Sequence, residues 1–181
     1  MTRIIGFYGS IAGIIVAIGM WAGISFIPKG GSAGMAVGYL TMLVALSFVF
    51  VGVKQYRDNV KGGIIRFWTA LGVGLSIAVV ASLFYVGAWE IYMYNTNYTY
   101  MDKYISSSVD TMRAAGKPAS GIANFQAEMV KFKAQYAHPL FRVLITFTEI
   151  APVGFLIALI SAALLRNAGF MPSRAQSRSV S

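Results

Sequence analysis

Apolar residues are gathered into four long runs, and polar residues are confined to the connections between them. The first run extends from Ile4 to Ile27 and ends at Pro28, Lys29, Gly30 and Gly31. As a helix it is roughly 36 Å long, enough to cross a bilayer with some tilt. A cleaved secretory leader needs an apolar core of only about 7–15 residues, so this run reads as an uncleaved anchor. The second run covers about Gly34 to Val53, closed by Lys54, Gln55, Tyr56, Arg57 and Asp58, with a turn over Asn59 to Gly63. The third starts near Phe67 and ends near Tyr94, with Phe67 and Trp68 at one end and Trp89, Tyr92 and Tyr94 at the other. Aromatic residues at both ends mark the two membrane–water interfaces. The fourth run covers about Phe141 to Leu165.

Between the third and fourth runs lies a long polar insert, Asn95 to Pro139, in which the periodicity changes character. Met101, Tyr104, Ile105, Val109 and Met112 recur at helical spacing, and the pattern stops at Ala115, Gly116, Lys117 and Pro118. A second amphipathic pattern can start with Ser120 as N-cap and carries Ile122, Phe125, Met129, Phe132 and Tyr136 on one face. The two stripes predict an αα-hairpin whose apolar faces meet. The expected architecture is therefore an all-α integral membrane protein with four transmembrane helices and an extracytoplasmic amphipathic hairpin between helices three and four. Its expected divisions are residues 1–94 (helices one to three), 95–139 (hairpin), 140–166 (helix four) and 167–181 (a disordered, Ser/Arg-rich cytoplasmic tail).

Composition strengthens this reading. Of the 181 residues 57% are hydrophobic and only 12% charged, about half the charged share a soluble surface needs. The net charge of +9 raises nucleic acid as a partner, but no recognition motif accompanies it. Its distribution points instead to the lipid bilayer. Arg3, Lys54, Arg57, Lys61, Arg66, Arg166, Arg174 and Arg178 fall on one side of a four-span chain, and Lys29 stands in the short loop opposite. By the positive-inside rule both termini are cytoplasmic.

Lipid is as apolar as leucine, so the helices must be held by close backbone approach at small residues spaced by four. Such rows occur on every span: Gly9, Gly13 and Ala17, then Gly19 and Gly23; Gly34 and Gly38; Ala70, Gly74, Ala78 and Ser82; Gly154, Ala158 and Ala162. They predict a compact bundle, with self-association through such a face left open.

Chemistry-bearing residues are few. There is no cysteine and one histidine, His138, which removes thiol chemistry, iron–sulfur clusters and a self-contained His-rich metal site. Ser106, Ser107 and Ser108 have no nearby base, and no phosphate loop or zinc-protease motif is present. No catalytic residue and no cofactor is expected, and the chain reads as a non-enzyme. Two carboxylates stand out because charge inside a membrane is expensive. Glu90 lies near the outer end of helix three and Glu149 about two turns into helix four from the same side. Arg142, Thr146 and Glu149 recur at four then three, on one helix face. Pro152 lacks the donor that would bond back to Thr148. These five residues form a candidate intramembrane polar site, either pinning helix four or serving a cation or proton.

Several blocks carry a family resemblance. They are Gly34 to Arg57, with Gly38-Tyr39, Ser47-Phe48, Phe50-Val51-Gly52-Val53-Lys54 and Tyr56-Arg57; Tyr85, Trp89 and Ile91-Tyr92; and Phe132-Lys133, Tyr136, Pro139-Leu140, Thr146-Phe147-Thr148-Glu149 and Pro152-Val153-Gly154. With these the chain resembles the domain of unknown function 4199 family of bacterial membrane proteins. The resemblance implies four helices in a bacterial inner membrane with an insert before the last, and it lends no catalytic residue. The expected function is a structural or accessory membrane component that binds partners, through the hairpin stripe (Ile122, Phe125, Met129, Phe132) or through small-residue helix faces. The alternative is a small oligomeric transporter or channel that uses Glu149.

Overall fold

The computed structural model describes residues 1–26 and 32–172. The end of the first run at Pro28 to Gly31, Arg174, Arg178 and the end of the tail lie outside the described residues, as do the surroundings of Gly34. Among the described residues six helices follow one another: α1 (Thr2–Phe26), α2 (Ser32–Val60), α3 (Phe67–Asn95), α4 (Tyr100–Ala114), α5 (Ala119–Tyr136) and α6 (Pro139–Leu165). The described residues contain no strand. α1, α2, α3 and α6 are 25, 29, 29 and 27 residues long and apolar enough to cross a membrane. At about 1.5 Å per residue each exceeds the roughly 30 Å hydrocarbon layer. The protein is an all-α, multi-pass membrane protein.

α3 lies at the centre. It packs on α1 and α6 along its length, and α2 closes the far side against α1, α6 and α3. The core is made of small and medium side chains, among them Ala12, Ala45, Val49, Val73, Ile77, Ala81, Ile150, Ala158 and Ala162. Large apolar side chains such as Ile18, Leu43, Val44, Leu83, Leu144 and Phe155 face outward. In water that surface would drive aggregation; against lipid tails it is the ordinary solvent face.

Small residues bring the backbones together. A Cβ added at Gly9 would stand 2.6 Å from the Val80 Cβ, and one at Gly13 2.5 Å from the Phe84 Cβ, so α1 and α3 touch where α1 has no side chain. One at Gly74 would stand 2.9 Å from the Ala158 Cβ, and one at Gly154 2.9 Å from the Ala78 Cβ. The α3 and α6 rows thus interlock reciprocally. Gly38, by contrast, faces open space.

α4 and α5 pack on each other, and α5 adjoins the start of α6. Met101 and Val109 of α4 are buried, while Ile122, Phe125, Met129 and Phe132 of α5 are half-buried. Lys133 pairs with Asp102 across the two helices. α4 ends at Gly116, whose φ of +67° suits glycine and lets the Lys117 N–H donate to the Met112 carbonyl. The helix that follows begins two residues earlier than the Ser120 cap implies. Its N-cap is Pro118, in extended conformation and without a side-chain cap bond, because proline supplies the required backbone angle.

At the opposite end of the bundle Arg57 behaves differently from a surface topology charge. Its side chain is fully buried. Nε donates to Asp58 Oδ1 at 2.7 Å, Nη1 to the Phe170 carbonyl at 2.8 Å and Nη2 to the Met171 carbonyl at 2.5 Å. Phe170 meets Phe50 edge-on, at 6.4 Å between ring centres. Residues 167–172, at the start of the expected tail, are therefore folded back and clasped to α2. Arg57→Met should release this segment and little else, because Phe170 is half-buried and Met171 exposed, so water can replace the guanidinium at their carbonyls. Amide exchange at Phe170 and Met171 is expected to quicken at least tenfold, with the midpoint of global unfolding nearly unchanged; a large drop in that midpoint would contradict this.

Candidate functional site

α3 runs toward Asn95 and α6 starts back from Pro139, so residues near those ends lie side by side. Glu90 and Arg142 occupy that level. The Arg142 Nε donates to Glu90 Oε1 at 2.7 Å and Nη2 to Glu90 Oε2 at 2.6 Å. This is the two-pronged geometry a planar guanidinium makes with a carboxylate. Nη1 donates to the Tyr136 carbonyl at 3.2 Å, which ties the end of α5 to the same group. The Tyr98 ring lies 5.0 Å from the guanidinium carbon, a cation–π contact. Tyr98 reaches it through an unusual turn: Asn97 and Tyr98 have φ of 49° and 56°, and the Tyr98 N–H donates to the Met93 carbonyl at 2.8 Å. Two successive non-glycine residues in the left-handed region are costly, and the contacts they enable hold them there.

Aromatic rings close the site above this pair. The Trp89 Nε1–H donates to the Tyr136 hydroxyl at 2.7 Å. Tyr100 meets Trp89 edge-on at 4.7 Å, and Phe132 stacks on Tyr136 and meets Phe141 edge-on. Burial pushes the Tyr100 phenol up to about 12 and raises that of Tyr136 as well, so both stay neutral at ordinary pH.

The five residues of the expected polar site are not one site. Arg142 and Thr146 turn inward and are buried. The Thr146 hydroxyl donates to the Arg142 carbonyl of its own helix, which satisfies its proton without a partner on another helix. Glu149, about 10 Å further along α6 from Arg142, lies at the edge of that face and is exposed on the bundle surface. There it accepts a hydrogen bond from the Tyr85 hydroxyl at 3.0 Å. Arg142 is engaged by Glu90, and the two carboxylates are held apart by different partners. α6 continues through Pro152, which faces outward. A carboxylate turned to lipid at this depth costs on the order of 2.5–3.5 kcal/mol on the insertion scale for charged residues at a helix centre. A single phenol hydrogen bond offsets only part of that.

Sequence reasoning missed Tyr85, Tyr98 and Tyr136 as members of these pairs. Tyr85 carried a signal, since a phenol in the middle of an apolar span, away from either interface, needs a polar partner. Tyr98 carried none, because its position depends on a turn of unusual backbone angles. Among the described residues no three His, Cys, Asp or Glu side chains come together as a metal site would require.

Comparison with known proteins places most of the chain in one match. The family model described as "Protein of unknown function (DUF4199)" covers residues 7–167. No curated protein matches the chain, and no solved structure does.

Proposed function

We propose that this chain, which belongs to the DUF4199 family, is a non-enzymatic scaffold or accessory subunit of a bacterial inner membrane, with both termini cytoplasmic and the α4–α5 hairpin outside. The observation that carries this reading is how the polar groups inside the bundle are used. Glu90, Arg142, Trp89 and Tyr136 are spent on one another, fastening the hairpin's base to the spans. Such a network holds a platform in position. Beyond that base the hairpin presents Tyr104 and Val130, both exposed, amid charged residues. The orientation rests on the basic residues Arg3, Lys54, Lys61, Arg66 and Arg166, which stay outside the core at the end opposite the hairpin.

The test is purification of the tagged protein from native membranes in mild detergent, with identification of what accompanies it and measurement of the particle mass. A stoichiometric second polypeptide is expected, and Val130→Arg should weaken its retention at least tenfold without altering the bundle, since the side chain is 67% exposed. A particle containing this chain alone would defeat the reading. Separately, a reporter that works only outside the cytoplasm should stay inactive when fused after Ser181; activity there would invert the topology. The second reading, an oligomeric transporter or channel, draws on Glu149. Its outward position allows it to line a path only between copies, which requires a homo-oligomer of defined size in the same measurement.

A further inference from the structure

We propose that the outer seam between α3 and α6 at Glu149 docks a transmembrane helix of a different polypeptide, one that carries a lysine or arginine near the middle of its span. This rests on the accessory-subunit reading and names the chemistry of the partner inside the membrane.

Glu149 lies ten residues into α6, about 15 Å below its start, well inside the hydrocarbon layer. Tyr85 holds one oxygen, Oε2, from the α3 side. Among the described residues the other oxygen accepts no hydrogen bond, and the side chain is exposed. Tyr85 itself is buried, so its hydroxyl orients the carboxylate at the seam without covering it. On the same side of α6, Thr148, Pro152 and Leu156 are also exposed, which leaves a strip about two turns long beside the carboxylate. A carboxylate in lipid calls for a cation or a strong donor, and charge complementarity selects the occupant.

This chain cannot supply that cation from a second copy inserted the same way. The basic residues of its spans are Arg3, Lys54, Arg57 and Arg142. Arg3, Lys54 and Arg57 belong to the opposite end of the bundle, where α1 starts and α2 ends. Arg142 is held by both Glu90 oxygens and sits about two helical turns from Glu149. The cation must come from another protein.

The experiment places a photo-crosslinking amino acid at Leu156 in the full chain, irradiates native membranes and identifies the attached peptide by mass spectrometry. The expected adduct is a membrane-spanning peptide of another protein with a Lys or Arg within two turns of its midpoint. Its yield should fall at least tenfold in Glu149→Gln, which retains the Tyr85 hydrogen bond and the side-chain volume. The same probe at Ile18, exposed on α1, should give a product pattern that Glu149→Gln does not change, which shows that the variant is folded. Adducts with lipid only, with a second copy of this chain, or with a span lacking a basic residue overturn the proposal, as does an unchanged yield in Glu149→Gln. A probe at Val130 separates this from the broader reading. Adducts from Val130 but not from Leu156 leave the accessory role standing and remove the intramembrane dock; adducts from neither remove both.

Discussion

Arg142→Met is expected to lower the stability of the bundle by about 3 kcal/mol, the low end of what removing one partner of a buried ion pair costs. The low end applies because Glu90 keeps 29% of its side chain exposed and can recover some solvation, whereas Arg142 keeps only 3%. The loss has several parts. Glu90 is left with a charge and no counter-ion, the Tyr136 carbonyl loses its donor, and Tyr98 loses the cation that its strained turn serves. The site joins α3, α5 and α6, so the hairpin should loosen together with the start of α6. Equilibrium unfolding in mixed micelles, followed by tryptophan emission, measures this, and Trp89 stands beside the site as a local reporter. Adding Glu90→Leu to Arg142→Met should restore most of the loss, because the expensive species is the unpaired carboxylate and not the missing pair. A double variant no more stable than Arg142→Met would mean that Arg142 acts through packing and the Tyr136 carbonyl instead.

Gly13→Leu should be comparably damaging, by about 3 kcal/mol, the upper end for overpacking a filled interior. Even a Cβ at this position would stand 2.5 Å from the Phe84 Cβ, and the remaining leucine atoms have nowhere to go unless α1 and α3 separate. Separation is serious in lipid, because nothing equivalent to water exclusion draws the two helices back together. Gly38→Leu is the matched control: it changes the same residue type on a neighbouring helix where nothing lies within 4 Å. Unfolding midpoints should fall for Gly13→Leu and stay near wild type for Gly38→Leu. Equal effects at both positions would show that leucine disturbs insertion or helix propensity and not the α1–α3 contact.

Which features the sequence by itself determined follows from what lipid selects. Length and apolarity of a continuous segment are local properties, and a bilayer admits such segments only as helices whose backbone bonds close internally. Four spans, their approximate ends, the Gly116 stop and the small-residue rows of α1, α3 and α6 were therefore readable directly, while the row expected on α2 was not a contact at Gly38. That Glu90 and Glu149 lie toward the same side of the membrane was readable too, since antiparallel neighbours share a depth scale. What remained undetermined was the rotation of each helix about its own axis. In a soluble protein the polar face betrays that angle, but here core and solvent are equally apolar and hydropathy does not distinguish them. Only the packed tertiary structure decided that Arg142 meets Glu90, 52 residues away, and leaves Glu149 to Tyr85, 64 residues away. It also turned Arg57 inward to clasp Phe170 and Met171, where charge counting had left it with the surface cations. Interlocking glycines and alanines set those rotations, and the angle at which two helix surfaces fit is a property of both helices together.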